Sequence, residues 1–592
     1  MSHEFFATFA RFLHIVHIVF HIGYVNQPEF EYSLLLFSAL RCKMSLLETW
    51  GEVLQNRNQN YLKGAAILAS ASIFAKIISA IYKIPLFNIM DAEDAGTFQV
   101  TYNVFTFILA ISTAGIPAAL SRLVSSANAS GNTKLAKRYF TVALPGFILI
   151  GLVAMLIMLF LAQDFADFMN NSSATTGIRV LAPAVFFACI IAVYRGYAQG
   201  HENMVPTAMS QIIEVICKAV FGIAAALLLV HWGYQTHIVA AGAITGVTIG
   251  LGLSVLLLIW YKRKMDRDAP VISDSVTMDT RSGLSIFGRI MKVSIPITMS
   301  STFMSLMVVI DSRIVLGRLQ TVLGFTEAQA SAQFGVYALG LAIYNLPFAF
   351  VVPVSVSIFP AIAAAIAKGK KDESQIIMQS SLKLVNLISM PAAAGLMALA
   401  APILLALYSQ DTPLATNLLT VLGAASFFVC LQYITTATLQ ANGHERISLI
   451  TFPIGAAVKI SLAYFLSGNP DIGIIASPIG TLACFIVISA LNIIFIVAKV
   501  KNRPSFRKVF IRPFLCSAIM AGASFGIYRL LYAVGSGIFA ANRFAVSVYL
   551  AIAVLAGVCV YGALIIVSRT VTMDDMKLVP KGAKIARLLR IR

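Results

Sequence analysis

The stretch YRGYAQGHENMVPTAMSQIIEVICK, residues 194–218, carries Arg195, Glu214 and Lys218 in or beside segments that otherwise read VLAPAVFFACIIAVY and AVFGIAAALLLV. Ionisable side chains in such surroundings are costly; where they occur they face protein or water and mark pathways for ions and polar cargo. Lys76, Lys83, Arg122, Lys292, Asp311, Arg313, Lys383 and Lys459 also fall within apolar runs, and of the whole set only Glu214 and Asp311 are acidic. A cavity lined by such residues is basic and suits an anion, phosphate above all, whose oxygens match guanidinium and ammonium groups.

Several of these charges also have simpler readings. Lys292 and Lys383 lie a turn or two from helix ends, where long side chains snorkel to the interface. Asp311 and Arg313 are two apart and point away from each other on a helix. Glu214 and Lys218 have the i, i+4 spacing of a helical ion pair. Lys76 and Lys83, seven apart, are expected on one face of the first span, with Ser70, Ser72 and Ser79 along the same helix. Arg122 follows STAGIPAALS, where Gly115 and Pro117 loosen the second span; its competing reading is a place at the cytoplasmic interface. Lys76, Lys83, Arg122, Arg195 and Lys218 are therefore the candidate anion-binding residues. Glu214, Asp311 and Lys459 are candidate coupling or structural charges.

No metal site or cofactor is expected. His14, His17 and His21 have i, i+3, i+7 spacing but no carboxylate or cysteine beside them. The seven cysteines are scattered, without metal-ligand spacing or a disulfide framework. An enzyme embedded in the membrane would gather acids or histidines at one face; no such constellation appears, so the protein is not expected to be an enzyme.

The elements that must carry these residues are membrane spans. Of 592 residues 59% are hydrophobic and 12% charged, with mean hydropathy +0.85. A soluble fold cannot bury that much apolar surface. Net charge is +19, which topology alone explains in an integral membrane protein, so nucleic acid is not an expected partner. Apolar runs of about 20 residues, long enough to cross a bilayer as helix, recur about fourteen times. They lie near 62–87, 97–128, 139–162, 177–200, 206–230, 238–261, 287–316, 333–366, 377–408, 414–441, 446–467, 472–498, 509–534 and 544–568. Helices are required because open sheets leave backbone groups unpaired in lipid.

Alternate connections, with the tail from 569, carry about 26 basic residues, and the others about one or two. Both termini are thus expected in the cytoplasm of a multi-pass cell-membrane protein. VLAPAVFFACIIAVYRGYAQ at 180–199 and VLGAASFFVCLQYITTATLQ at 421–440 match at one offset, which also relates Lys218 to Lys459. Both run in the same direction, so the repeat is parallel.

The expected organisation is all-α, with two six-helix lobes and two extra helices. Its parts are a dispensable N-terminal extension (1–60), an N-lobe (61–265), a cytoplasmic linker (266–285), a C-lobe (286–500), a helix pair (501–570) and a basic tail (571–592).

GIPAALSRLVSSANASGN, the stretch 194–218 and IDSRIVLGRLQTVLGFTEAQASAQFGVYALGLAIYNLP together resemble the SpoVB/YtgP group. These are polysaccharide-biosynthesis membrane proteins of the multidrug/oligosaccharidyl-lipid/polysaccharide exporter superfamily. The resemblance covers roughly residues 61 to 570. It implies fourteen helices in two lobes around a V-shaped cavity, and flipping of lipid II for peptidoglycan synthesis. The more distant MurJ flippases have a first-helix pattern like S-R-x-L-G-x-x-R-D. In AKIISAIYK, Lys76 keeps the first charge, Tyr82 replaces the second Arg and Lys83 stands where the acid would be. The basic cavity carries over and the detailed geometry does not.

The expected function is alternating-access flipping of an undecaprenyl-pyrophosphate-linked saccharide by a monomer, with membrane potential or an ion as driving force. The alternatives are a cation-coupled multidrug antiporter and an exporter of another lipid-linked polysaccharide unit.

Overall fold

The computed structural model describes residues 60–130, 132–268, 282–367, 371–408, 412–500, 504–535, 543–568 and 570. Nearly all of the expected N-terminal extension, with its histidines, most of the linker and the basic tail lie outside them. Every described element is helical. The first lobe comprises α1 (Asn60–Ile81), α2 (Lys83–Ile89), α3 (Ala92–Thr113), α4 (Ile116–Ala129), α5 (Thr133–Phe160), α6 (Ala162–Phe168), α7 (Ala174–Gly200), α8 (Val205–His231) and α9 (Thr236–Asp268). The second comprises α10 (Gly283–Thr321), α11 (Glu327–Ala367), α12 (Lys371–Ala398), α13 (Ala400–Tyr408), α14 (Pro413–Ala441), α15 (Ser448–Leu466) and α16 (Ala476–Lys499). The pair α17 (Phe506–Gly535) and α18 (Arg543–Val567) follows.

Fourteen of the described helical stretches are long and apolar enough to cross a membrane, as the hydropathy pattern predicts. Local signals set their ends. Asn132, Ser282 and Thr412 accept the backbone N–H three residues on, capping α5, α10 and α14. Pro117, Pro206 and Pro413 sit in first turns, where a missing N–H costs nothing. Two spans are interrupted. Gly115 separates α3 from α4, and α1 gives way to α2 at Tyr82, where Pro85 cannot donate to the carbonyl of Ile81.

The repeat reappears in the packing. In the first lobe α7 packs on α5 and α9, and α9 on α8; in the second α14 packs on α12 and α16, and α16 on α15. The contact of α1 with α8 is matched by that of α10 with α15. The extra pair docks on the second lobe through α17 against α12 and α18 against α13.

The lobes meet chiefly through α3, which touches α10 and α11. At the ends joined by the base-poor connections the approach is backbone to backbone. A Cβ on Gly96 would lie 1.9 Å from the carbonyl oxygen of Ser331, and one on Gly335 1.8 Å from that of Ala92. Only glycine permits that crossing. Polar contacts surround it. Thr97 and Ser331 hydroxyls are 3.2 Å apart, Asn171 Nδ2 donates to Ser331 Oγ, and Ser172 Oγ and the Ser173 N–H donate to Glu327.

α10 belongs to both lobes. Near its start Ile286 and Ile290 are buried with Leu120, Phe140 and Phe147 of the first lobe, whereas Asp311 lies against α15 and α16.

A candidate anion-transport site between the lobes

The candidate residues occupy four separate places. Lys76, on α1, is exposed and its ammonium lies 4.6 Å from the ring centroid of Phe348 on α11, at the boundary between lobes. Arg122, on α4, is also exposed. It stands seven residues after Gly115, hence on the same helical face. Gly115 touches α10, its N–H donating to Thr298 Oγ1 at 3.1 Å. Arg122 therefore points to the α10 side of α4, opposite the face that packs on α7.

Lys83 does not share the Lys76 face. Just after the break at Tyr82 it turns into the first lobe, donating to Gln99 Oε1 at 3.2 Å and lying 5.7 and 5.9 Å from the ring centroids of Phe87 and Tyr102. Lys218 approaches the same place from α8. It is 7% exposed, lies 4.7 Å from the centroids of both Tyr82 and Tyr102, and donates to the Tyr102 hydroxyl at 3.3 Å. Among the described residues no carboxylate pairs with either lysine. The aromatic faces supply the compensation, each worth about 0.5–2 kcal/mol when desolvated.

The third place corrects the i, i+4 expectation. Glu214 turns away from Lys218 and binds Arg195 at 3.0 Å, while Arg195 Nε donates to Ser210 Oγ at 2.8 Å. The Arg195 side chain is 17% exposed and its guanidinium is engaged. The cross-helix partner wins because α7 and α8 bring the guanidinium to both acceptors at once. Next to this group Ser72 of α1 donates to Gln211 at 3.1 Å.

The fourth place is in the second lobe. Lys459 on α15 binds Asp311 of α10 at 3.1 Å, and Ser477 of α16 donates to the same carboxylate oxygen at 2.6 Å. Arg313, two residues on, stacks over Phe168 instead. Lys292 is exposed near the start of α10, as snorkelling requires, but Lys383 is buried on α12 and does not snorkel.

Residues that the sequence reading passed over complete the first-lobe cluster. Gln99 Nε2 donates to Asn103 Oδ1 at 2.8 Å, and Asn103 Nδ2 to Ser312 Oγ of α10 at 2.9 Å. The Tyr82 side chain is buried against the Lys218 ammonium. The available signal was the polar i, i+4 pair Gln99 and Asn103 inside an apolar run. Among the described residues no three His, Cys, Asp or Glu side chains come together as a metal site.

A family model described as polysaccharide biosynthesis protein matches residues 61–367, more than half of the chain. The chain belongs to this family. The model of a second family, MatE, matches residues 296–465. Among relatives of this polysaccharide biosynthesis protein in Bacillus subtilis, the uncharacterized membrane protein YabM is 27% identical over 90% of this chain and 97% of its own. Stage V sporulation protein B is 24% identical over 88% of this chain and 98% of its own, and lipid II flippase MurJ 24% over 68% and 76%. A solved structure of lipid II flippase MurJ in an inward closed conformation superposes with a TM-score of 0.62 at 16% identity, covering 84% of this chain and 98% of the other. The family member described here is thus a multi-pass membrane protein with the MurJ-like two-lobe fold.

Proposed function

We propose that the protein moves a lipid-linked saccharide pyrophosphate, lipid II being the best candidate, across the cell membrane by alternating access between its lobes. One observation carries the reading. The two carboxylates in the middle of the spans, Glu214 and Asp311, are held in ion pairs, whereas Lys76 stands exposed at the boundary between lobes and Arg122 exposed on the α10 side of α4. A pathway whose accessible charges are basic fits an anionic head group and repels a cationic drug. The relative named as a lipid II flippase supports the same substrate class.

In this reading Lys76 and Arg122 contact the pyrophosphate first, and the prenyl chain stays in lipid beside the lobes. Both termini are cytoplasmic, so the base-poor connections face outward. Binding shifts the lobes only if the two states hold the cargo differently, and closing basic walls around pyrophosphate provides that difference. The membrane potential adds about 2.3 kcal/mol per unit charge per 100 mV.

The test is rescue of a bacterium depleted of its lipid II flippase. Arg122→Ala is expected to abolish rescue at unchanged membrane level. Arg122→Lys should restore it in part, since an ammonium lacks the guanidinium fork. Loss of one charge-assisted bond corresponds to roughly a ten- to hundredfold loss of affinity. Full rescue by both Arg122→Ala and Lys76→Ala would refute the anionic cargo. The multidrug antiporter suggested by the MatE match would then lead. Orientation is checked separately: cysteines placed in DAEDAG should react with an impermeant reagent from outside, and those in KGKKDES should not.

A further inference from the structure

The first-lobe lysine pair has no role in the cargo contacts above. Lys83 and Lys218 converge on Tyr102, with Phe87 and Tyr82 filling the space around the amines. The helices touching α2 bring no acid to them. α11 contains one charged residue, Glu327, which is occupied at its far end by Ser172 and Ser173. α13 has no charged residue, and its titratable group Tyr408 is buried. On α8, Glu214 is taken by Arg195. On α3, Glu93 and Asp94 lie in the first turn and Tyr102 faces the amines. α1 contributes Lys76, which faces α11, and Tyr82 sits at the junction with α2. Arg543 reaches α2 at Asn88, beyond Lys83. Two amines without an acid, enclosed by rings, have little room for any cargo larger than a proton.

A row of hydrogen bonds leaves this pair and crosses between lobes. Lys83 Nζ donates to Gln99, Gln99 to Asn103, Asn103 to Ser312, and Ser312 Oγ to the Val308 carbonyl at 2.8 Å. Every donor points the same way. An ammonium at the head can only donate, and its charge strengthens the bond to Gln99. A neutral amine keeps two N–H donors but loses that charge, so the head of the row weakens when Lys83 gives up its proton. The protonation state at Lys83 is thus felt along the row as far as Ser312, the residue after Asp311.

We propose that Lys83, beside Lys218, is a proton-exchange site, and that the row Gln99–Asn103–Ser312 conveys its state to α10 and so couples lobe movement to one proton. The ammonium of Lys83 releases one proton to water on one side of the membrane and the amine takes one up from the other. Parting of the lobes at Asn103–Ser312 opens the row and admits that water. The proposal rests on the transporter reading but not on the identity of the cargo.

The experiment places spin labels at Asp164 and Thr321, exposed on either lobe at the base-poor ends, in the full chain in lipid nanodiscs. Distances are read from about pH 5 to about pH 9.5, a range that spans ordinary histidine and most of lysine titration. The wild-type background should shift between two distance populations. Lys83→Arg, unable to give up its proton, and Lys83→Met, unable to take one, should each lose the pH response and settle on different populations. If Lys83→Met fails to insert, the Lys83→Arg result decides. A wild type without pH response, or a Lys83→Arg response like that of the wild type, overturns the proposal. Failed rescue of the flippase-depleted strain with an intact pH response would instead count against the cargo and leave the proton site standing.

Discussion

Lys218 and Lys459 hold the same position in the two halves of the repeat, Lys218 buried and Lys459 half-buried within the fifth span of its lobe, yet they are neutralised by different means. Lys459 has a carboxylate at 3.1 Å, itself held by Ser477. Lys218 has two tyrosine rings at 4.7 Å and a second lysine across Tyr102. The acid in the second lobe comes from α10; the corresponding first span, α1 with α2, offers Lys76 and Lys83 instead. A closed ion pair fixes its charge and resists change, because removing either partner strands the other in low dielectric. A lysine among aromatic faces has no such bound partner. One lobe therefore holds a clamp, and the other holds a charge that can vary.

Breaking the clamp gives the largest expected effect. Lys459→Met leaves Asp311 buried alone and should cost about 3–5 kcal/mol of stability, seen as a fall in thermal unfolding temperature in detergent. Asp311→Asn combined with Lys459→Met should recover most of that loss; a double variant as unstable as the single would show that the pair is not the cause. Ser477→Ala removes a hydrogen bond to a charged group and should cost about 1.5–3 kcal/mol in the same assay.

Gly335→Ala lies outside both centres and serves as the packing control. Its new Cβ meets the Ala92 backbone, so about 1–3 kcal/mol is expected, together with faster labelling of a cysteine placed at Ser331. The smallest effect should come from Lys218→Met. It loses two cation–π contacts and the long bond to the Tyr102 hydroxyl, but also the burial of an ammonium, so stability should move by about 1 kcal/mol or less. A loss as large as that of Lys459→Met would erase the distinction between the lobes.

The spans and the repeat were legible because both are periodic: apolar runs of bilayer length, and one offset that relates Lys218 to Lys459. The charge partners were not, since they depend on contacts between helices far apart in sequence. Glu214 illustrates the limit. Local spacing assigns it to Lys218, and the packing of α7 on α8 gives it to Arg195. The separation of Lys76 from Lys83 had a visible cause in Pro85, which a reading by heptad face alone passes over. The row through Gln99 and Asn103 was visible only as two polar residues one turn apart, with nothing to say that Ser312 stood opposite.

The Gly96–Gly335 crossing has a mechanical consequence. Where two backbones touch without side chains between them, the surfaces are smooth at that point, and the bonds of Thr97 and Asn171 to Ser331 lie close around it, so the contact acts as a fulcrum. Asn103 lies seven residues from Gly96, an arm of about 10 Å at 1.5 Å per residue. A tilt of about 10° over that arm moves Asn103 by about 2 Å. That is enough to carry its 2.9 Å bond to Ser312 beyond hydrogen-bonding range. The leverage is such that the lobes need only a slight roll at the glycines to cut the Asn103–Ser312 link.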